Sequence, residues 1–313
     1  MRSALHRYFL EYPRDQKDLL GISGGRDSVS LLYLLLENGF HNLVLCHLDH
    51  GLRGKESDLD AAFVANIAQE HSLSSEIQSV NINQIMQERS ESMELAARNA
   101  RHRFFSKCAE LHHCHRVLLA HHADDQAETI LFNLLRGSGG LRGMAFKTNH
   151  SGLNFYRPLI ETDRKTINNY LTKNKIKYRE DSSNSQAVAT RNRLRNEAIP
   201  LLENIMHRDI QSSLSRAEQV CRNNEAALRN ILSTYELQDS QGRLFIPKIQ
   251  ELHPALQHIA LRDYLKYHAV SNISYSLLDQ CLNLLSDQST AKVNLPGDRY
   301  FRRKEKRLFI EPN

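Results

Sequence analysis

The sequence predicts a doubly wound α/β domain with a mostly parallel sheet, followed by a second, smaller and mainly helical domain. Three observations carry this. Apolar runs of strand length alternate with longer helix-period segments over roughly residues 15–210, the pattern of βαβ units. Polar, chemistry-rich stretches follow those runs directly, where ligands of open α/β sheets bind. From about residue 215 onward the alternation gives way to long helical patterns.

Each element follows from local pattern. "DLLGIS" (Asp18–Ser23) reads as a strand, and "DSVSLLYLLLENG" as a helix closed by Gly39. "LVLCHL" (Leu43–Leu48) is the next strand, and "SDLDAAFVANIAQEH" an amphipathic helix with Ser57 as its cap. "SEIQSVNI" is a weaker strand, and "SMELAARNARHRFFSKCAELHH" a long helix. "RVLLA" (Arg116–Ala120) is a buried strand, "DDQAETILFNLLRG" a helix ending at Gly137, and "FYRPLI" a short extended piece. The later part contributes three helical stretches and closes on strand-like "KVNLP", "YFRRK" and "RLFIE".

Bulk properties narrow the class. Of 313 residues, 41% are apolar and 25% charged, as in ordinary globular proteins. No apolar run approaches the roughly 20 residues of a membrane span, and charges interrupt the N-terminal apolar stretch, so no secretory signal is read there. A cytoplasmic location is expected. Five scattered cysteines without a CxxC pair argue against a disulfide framework or a cysteine-ligated cluster. "HHCH" (His112–His115) reads as a solvated helix end rather than a metal site, because adjacent residues rarely converge on one ion. The net charge of +5 is unevenly placed: residues 136–195 hold 13 Lys/Arg against 4 Asp/Glu, leaving the remainder at −4. Such asymmetry suits a protein that grips a polyanion.

The stretch "GISGGRDS" lacks both GxGxxG and GxxxxGK[ST]. It still carries the makings of a phosphate site. Gly24 and Gly25 let backbone N–H groups turn inward, Ser23 and Ser28 add hydroxyl donors, and the following helix points its positive end at the loop. Asp27 is the misfit, because a carboxylate repels phosphate. A bridging Mg²⁺ removes the conflict, and a helix-capping role is the plain alternative.

Ser-Gly-Gly-x-Asp-Ser between strand and helix resembles the loop of the N-type ATP pyrophosphatase (PP-loop) superfamily, which implies a Rossmann-like, adenine nucleotide alpha hydrolase-like sheet and adenylylation by ATP with release of pyrophosphate. Further segments occur in order: "HLDHGLRG", "ELAARNARHRFF", "LAHHADDQAETILFNLLRGSGGLRGM", "RPLI", "EDSSN" (Glu180–Asn184) and "TRNRLRNEAIPLL". Within the superfamily they resemble the tRNA(Ile)-lysidine synthetases, closely over residues 15–210 and loosely beyond. That resemblance implies a catalytic domain over 1–212 and a mainly helical, tRNA-binding domain over 213–313. It implies the partners ATP, Mg²⁺, free L-lysine and a tRNA(Ile) with a CAU anticodon, whose cytidine 34 is converted to lysidine. A homodimer is one oligomeric state left open. The rival readings are a tRNA 2-thiolation enzyme, disfavoured by the missing paired cysteines, and a tRNA-binding protein with an inactive nucleotide site.

The resemblance also distributes roles. Ser23, Gly24, Gly25, Arg26, Asp27, Ser28 and His50 are candidates for ATP binding, with Asp27 the Mg²⁺ ligand. Asp27, Arg98, His121 and Asp125 are candidate catalytic residues. Arg98 and Arg101 share a helix face, where a guanidinium suits charge building on the α-phosphate, or where a surface ion pair is equally natural. Asp124 and Glu128, i and i+4, are a secondary acidic pair for lysine, whose amine must lose a proton to attack. Arg136, Arg142, Arg191, Arg193 and Arg195 are candidate tRNA contacts. "YFRRKEKR" is a further basic stretch or simply a charged hairpin. His102 stands where the family usually has tyrosine.

Overall fold

A computed structural model of the chain describes residues 4–51, 54–137, 140–179, 190–286 and 291–312. These fall in two compact units, one within 1–129 and 144–211, the other within 130–143 and 212–313. Of the sequence motifs, "EDSSN", the Leu52-Arg53 of "HGLRG" and the Ser138-Gly139 of "RGSGG" lie outside the described residues.

The first unit is built on a six-stranded sheet. Its strands are β1 (Asp18–Gly21), β2 (Leu43–Asp49), β3 (Ser74–Ser79), β4 (Arg116–Leu118), β5 (Lys147–His150) and β6 (Leu153–Tyr156). They lie in the order β3-β2-β1-β4-β6-β5, all neighbours parallel except the β5–β6 hairpin. The order reverses between β1 and β4, which opens a crevice at their carboxyl ends.

Helices cover the sheet because its central strands are apolar on both faces. Leu20 and Leu45 pack with Leu31, Leu32 and Leu35 of α2 (Arg26–Glu37), all fully buried. On the other side Leu19 and Val117 meet Phe104 and Phe105 of α5 (Met93–His112). Each such side chain contributes roughly 1.5–3 kcal/mol on burial. Asp18 is buried in this core at the start of β1. It accepts from the Tyr8 hydroxyl at 2.7 Å and pairs with Arg116. Burial nevertheless raises its pKa, against the opposing pull of Arg116.

The structure adds elements absent from the sequence reading: α1 (Ala4–Glu11), α4 (Ile82–Arg89), β5 and α7 (Arg164–Lys173). The α7 helix starts from Asp163, whose carboxylate accepts from the Thr166 N–H at 2.6 Å. It buries Ile167 and Leu171 in the same core as α2. One cap differs from expectation. The helix α3 (Lys55–Glu70) is capped by Gly54, and Ser57 lies inside its first turn, donating its N–H to the Gly54 carbonyl at 2.9 Å. Gly54 adopts φ +52°, a left-handed conformation that glycine reaches without a Cβ penalty.

The second unit holds a four-stranded antiparallel sheet in the order β7-β10-β9-β8: β7 (Leu244–Phe245), β8 (Lys292–Leu295), β9 (Arg299–Lys304) and β10 (Arg307–Pro312). Phe301 and Leu308 of this sheet are fully buried with Leu261 and Leu265 of α8 (Pro254–Tyr267) and Cys281 of α9 (Tyr275–Asn283). Among the described residues no helix is long and apolar enough to cross a membrane.

Candidate active site

The chain between β1 and α2 forms a tight loop at the crevice. Gly24 has φ +84°, and Gly25 caps α2 without help from a side chain. Ser28 knots the turn. Its Oγ donates to the Gly25 carbonyl at 3.0 Å and accepts from the Ser23 N–H at 3.1 Å. His47, buried on β2, holds the loop from below, its Nδ1 lying 2.9 Å from the Ile22 carbonyl and therefore carrying the proton. From the side, Arg179 donates its N–H to the Gly24 carbonyl at 2.9 Å and its Nε to Asp60 on α3 at 2.9 Å.

Two cavities meet at this loop and share Ser23, Asp27 and Arg101. The first, about 460 Å³, is lined in part by Phe104, Phe105, Leu119, His50 and His121. The second, about 730 Å³, gathers Arg26, Arg101, Arg164, Arg179 and Arg195 against Asp27 and Asp125. One is suited to a flat, partly apolar ring system; the other is suited to a multiply charged anion.

Between them lies a charged knot centred on His122, which is 1% exposed. Its Nε2 is 3.6 Å from Asp27 and 3.5 Å from Asp125, and its Nδ1 is 3.5 Å from an Asp124 oxygen. Nδ1 also faces the Asp124 N–H at 3.2 Å, a contact that needs a lone pair rather than a proton. Three surrounding carboxylates decide for the proton. Burial opposes charging, but contact with Asp124 and Asp27 outweighs it, and the pKa rises to about 9. Asp27 is shaped by the same balance: burial favours its neutral form, but His122, Arg164 and Arg26 hold its pKa below the usual carboxylate range. His121 behaves oppositely. Burial lowers it to about 4, and among the described residues its buried Nδ1 has no hydrogen-bond partner.

Residues 2–202 match the family model described as the PP-loop domain. The chain belongs to the PP-loop family. It is similar to tRNA(Ile)-lysidine synthase of Bacillus cereus (strain ATCC 10987), 33% identical over 90% of this chain and 62% of that one. The same enzyme of Geobacter sulfurreducens gives 33% over 90% and 62%, and that of Solibacter usitatus 39% over 66% and 46%. The chain thus spans about three-fifths or less of the length of these curated relatives. Among solved structures, a U34-tRNA thiolase from Methanococcus maripaludis with its [4Fe-4S] cluster shares the fold, with TM-score 0.56 and 18% identity over 70% of this chain and 77% of that one.

In this PP-loop protein most of the residues singled out from the sequence converge. Ser23, Gly25, Arg26, Asp27, Ser28, His50, His121 and Asp125 all line one cavity or the other. Gly24 supplies the turn itself. Arg101 lines both cavities, whereas Arg98, its neighbour one turn earlier, lines neither; both residues are exposed. Asp124 and Glu128, the candidates for lysine, have different partners. Asp124 accepts from the Arg164 N–H at 3.2 Å, while Glu128 and Asp125 share Arg195, whose Nη2 reaches Asp125 at 2.9 Å and Glu128 at 3.2 Å. Helix α6 (Ala123–Leu135) therefore turns Asp124 and Glu128 toward different neighbours.

The candidate tRNA arginines separate likewise. Arg195, carried on a π-helical turn (Leu194–Ala198), is tied into the acidic pair. Arg193 is 66% exposed and, among the described residues, pairs with Glu197 one turn away. Arg191 is exposed. In the second unit Arg136 stacks on Phe132 at 5.1 Å, and the Arg142 carbonyl accepts from Asn133 at 2.7 Å. The residues that sequence reasoning passed over are His47, Asp60, His122, Arg164, Asn168 and Arg179. His122 was adjacent to the histidine chosen, and the Asp163 cap signal of "TDRK" marked the helix start that carries Arg164. The others had no local signal.

Proposed function

We propose that this chain is an ATP-dependent ligase that joins lysine to C2 of cytidine 34 in a tRNA(Ile) with a CAU anticodon. The observation that carries the reading is the meeting, at Asp27, of a ring-sized cavity and an arginine-lined one beside a cluster of carboxylates. The names of the curated relatives support the tRNA target.

In this reading adenosine occupies the cavity of Phe104 and Phe105, and the phosphates extend past Ser23 and the α2 N-terminus among the arginines. The cytidine C2 oxygen attacks the α-phosphorus. The bond to the β-phosphate oxygen breaks, and pyrophosphate leaves. Arg101, at the junction of the cavities, faces the charge that grows on the α-phosphate. The ε-amine of lysine then attacks C2, AMP departs with the C2 oxygen, and the amine proton passes to a carboxylate. Asp125 lines the cavity and is the group for that task, and neutral His121 offers a ring nitrogen to the reacting base.

Asp27 also fits a cation. Among the described residues its Oδ1 is buried without a hydrogen-bond partner, and Mg²⁺ is commonly held by one or two carboxylates together with substrate phosphates. When bound, Mg²⁺ supplies the positive charge that lets Asp27 and the phosphates approach one another. The residues of 213–313, with Arg191 and Arg193, are assigned to gripping the tRNA, and the site to the cytoplasm of the cell.

The test is incubation of the protein with CAU-anticodon tRNA(Ile), ATP and labelled lysine. Label entering the tRNA together with stoichiometric pyrophosphate supports the reading; neither appearing sinks it. Asp27→Ala should abolish pyrophosphate release with tRNA retention nearly intact, and equal loss of both makes Asp27 structural.

A further inference from the structure

The arginines of the larger cavity are not equivalent. Arg179 is neutralised by Asp60, and Arg195 by Glu128 and Asp125. Arg26 instead donates Nη1 to the neutral amide of Asn168 at 2.9 Å. Among the described residues, Arg101 and Arg164 form no ion pair within 4 Å. Arg101 sits at the junction of the two cavities, while Arg164 lines only the larger one.

Arg164 is held there from behind. It is the first residue of α7, its N–H is bound to Asp124, and Ile167 and Leu171 anchor the helix in the core. Its Nε is buried and, among the described residues, has no hydrogen-bond partner. A guanidinium so placed retains donors for a ligand, and its charge already acts on Asp27. Asn168 lies one turn further along the same face of α7, so the helix presents Arg164 directly and Arg26 through Asn168.

We propose that Arg164 is a substrate-contacting residue that holds the departing pyrophosphate, and that Asn168 is a positioning residue that sets Arg26 beside it. This rests on the ATP reading above. Pyrophosphate carries several negative charges on oxygens spread over two phosphorus atoms, which two guanidiniums on one wall can meet in a forked geometry. The position also favours the transition state, since charge moves toward the leaving group as the α–β bond breaks.

The full chain is titrated calorimetrically with inorganic pyrophosphate and, separately, with AMP. Arg164→Ala should weaken pyrophosphate binding about tenfold or more while AMP affinity changes by less than about twofold. Arg164→Lys, which keeps the charge but not the fork, should recover part of the loss. Asn168→Ala should cost a few-fold, and adding it to Arg26→Ala should cost nothing further. Unchanged pyrophosphate affinity in Arg164→Ala and Arg164→Lys, or equal loss of AMP and pyrophosphate in both, overturns the assignment and leaves Arg164 as a counter-ion for Asp27 and Asp124. Wild-type protein that binds neither pyrophosphate nor any adenine nucleotide overturns the ATP reading as well.

Discussion

His122 Nε2 lies 3.6 Å from Asp27 Oδ2, joining the phosphate loop after β1 to the acidic block after β4. The two come from strands that are neighbours in the sheet but almost a hundred residues apart in the chain. The ring is the only imidazolium set among Asp27, Asp124 and Asp125 in the described structure, and against the effect of burial it holds the pKa of Asp27 and of Asp124 below the usual carboxylate range.

Replacing His122 by Asn should therefore release like-charge repulsion among the three carboxylates. We expect pyrophosphate release to fall by about one to two orders of magnitude, and His122→Asn to add little on top of Asp27→Asn. Steady-state kinetics of the two single variants and the double variant measure this. Fully additive losses would mean the two residues act independently.

Glu128 is 4% exposed and depends on Arg195 for its charge. Arg195→Met leaves a buried carboxylate without its partner, which should cost roughly 3 kcal/mol in urea denaturation. Glu128→Gln in the same chain should recover much of it. By contrast Arg193→Met, at an exposed i, i+4 pair, should change stability by less than about 0.5 kcal/mol. It should instead lower the salt dependence of tRNA binding, measured by filter retention between low and moderate salt.

His102 packs against His150 in a tilted pair, with ring centroids 4.3 Å apart, and meets Phe155 edge-on. Burial, reinforced by the charges of His150 and Arg98, pushes its pKa down to about 4. In the unfolded chain the ring takes a proton near pH 6.5. Between these values the unfolded state binds the extra proton, so this histidine's contribution is intact above about pH 6.5 and is lost as pH falls toward 4. His102→Phe should flatten the acid limb of stability against pH in this window. An unchanged slope in chemical denaturation at pH 7, 6 and 5 would assign the acid sensitivity elsewhere.

Gly51 turns the chain after β2 with φ +68°, and a Cβ there would stand 2.8 Å from the Val80 carbonyl oxygen. Gly51→Ala should destabilise by about 1–3 kcal/mol, visible as a lowered thermal midpoint. Gly152, at φ +82° with open space around it, should tolerate Ala better, since only the backbone preference is violated.

Much of this architecture was legible in the sequence because it depends on local periodicity. Leu19, Leu20, Leu43 and Val44 had to be strand and core, and the "SGG" turn had to follow a strand for its N–H groups to reach an anion. What stayed hidden were elements whose own pattern is weak. The β5 strand, "KTNH", has almost nothing buried and exists because β6 pairs with it. The short α7 declares itself by only two apolar anchors and a cap.

The same division holds at the site. The sequence by itself determined that a phosphate-type loop, an acidic block and an arginine-rich stretch follow strands, because those spacings act over a few residues. Only the tertiary structure decided which members of each meet. It chose His122 as the hub, bound Arg195 to Asp125 and Glu128, brought Arg101 rather than Arg98 to the cavities, and clasped Gly24 with Arg179. Those choices depend on strand order and on the rotation of each helix about its axis. Both are set by how the whole core packs, and a helix rotation of one residue is enough to turn a side chain from the cavity to solvent.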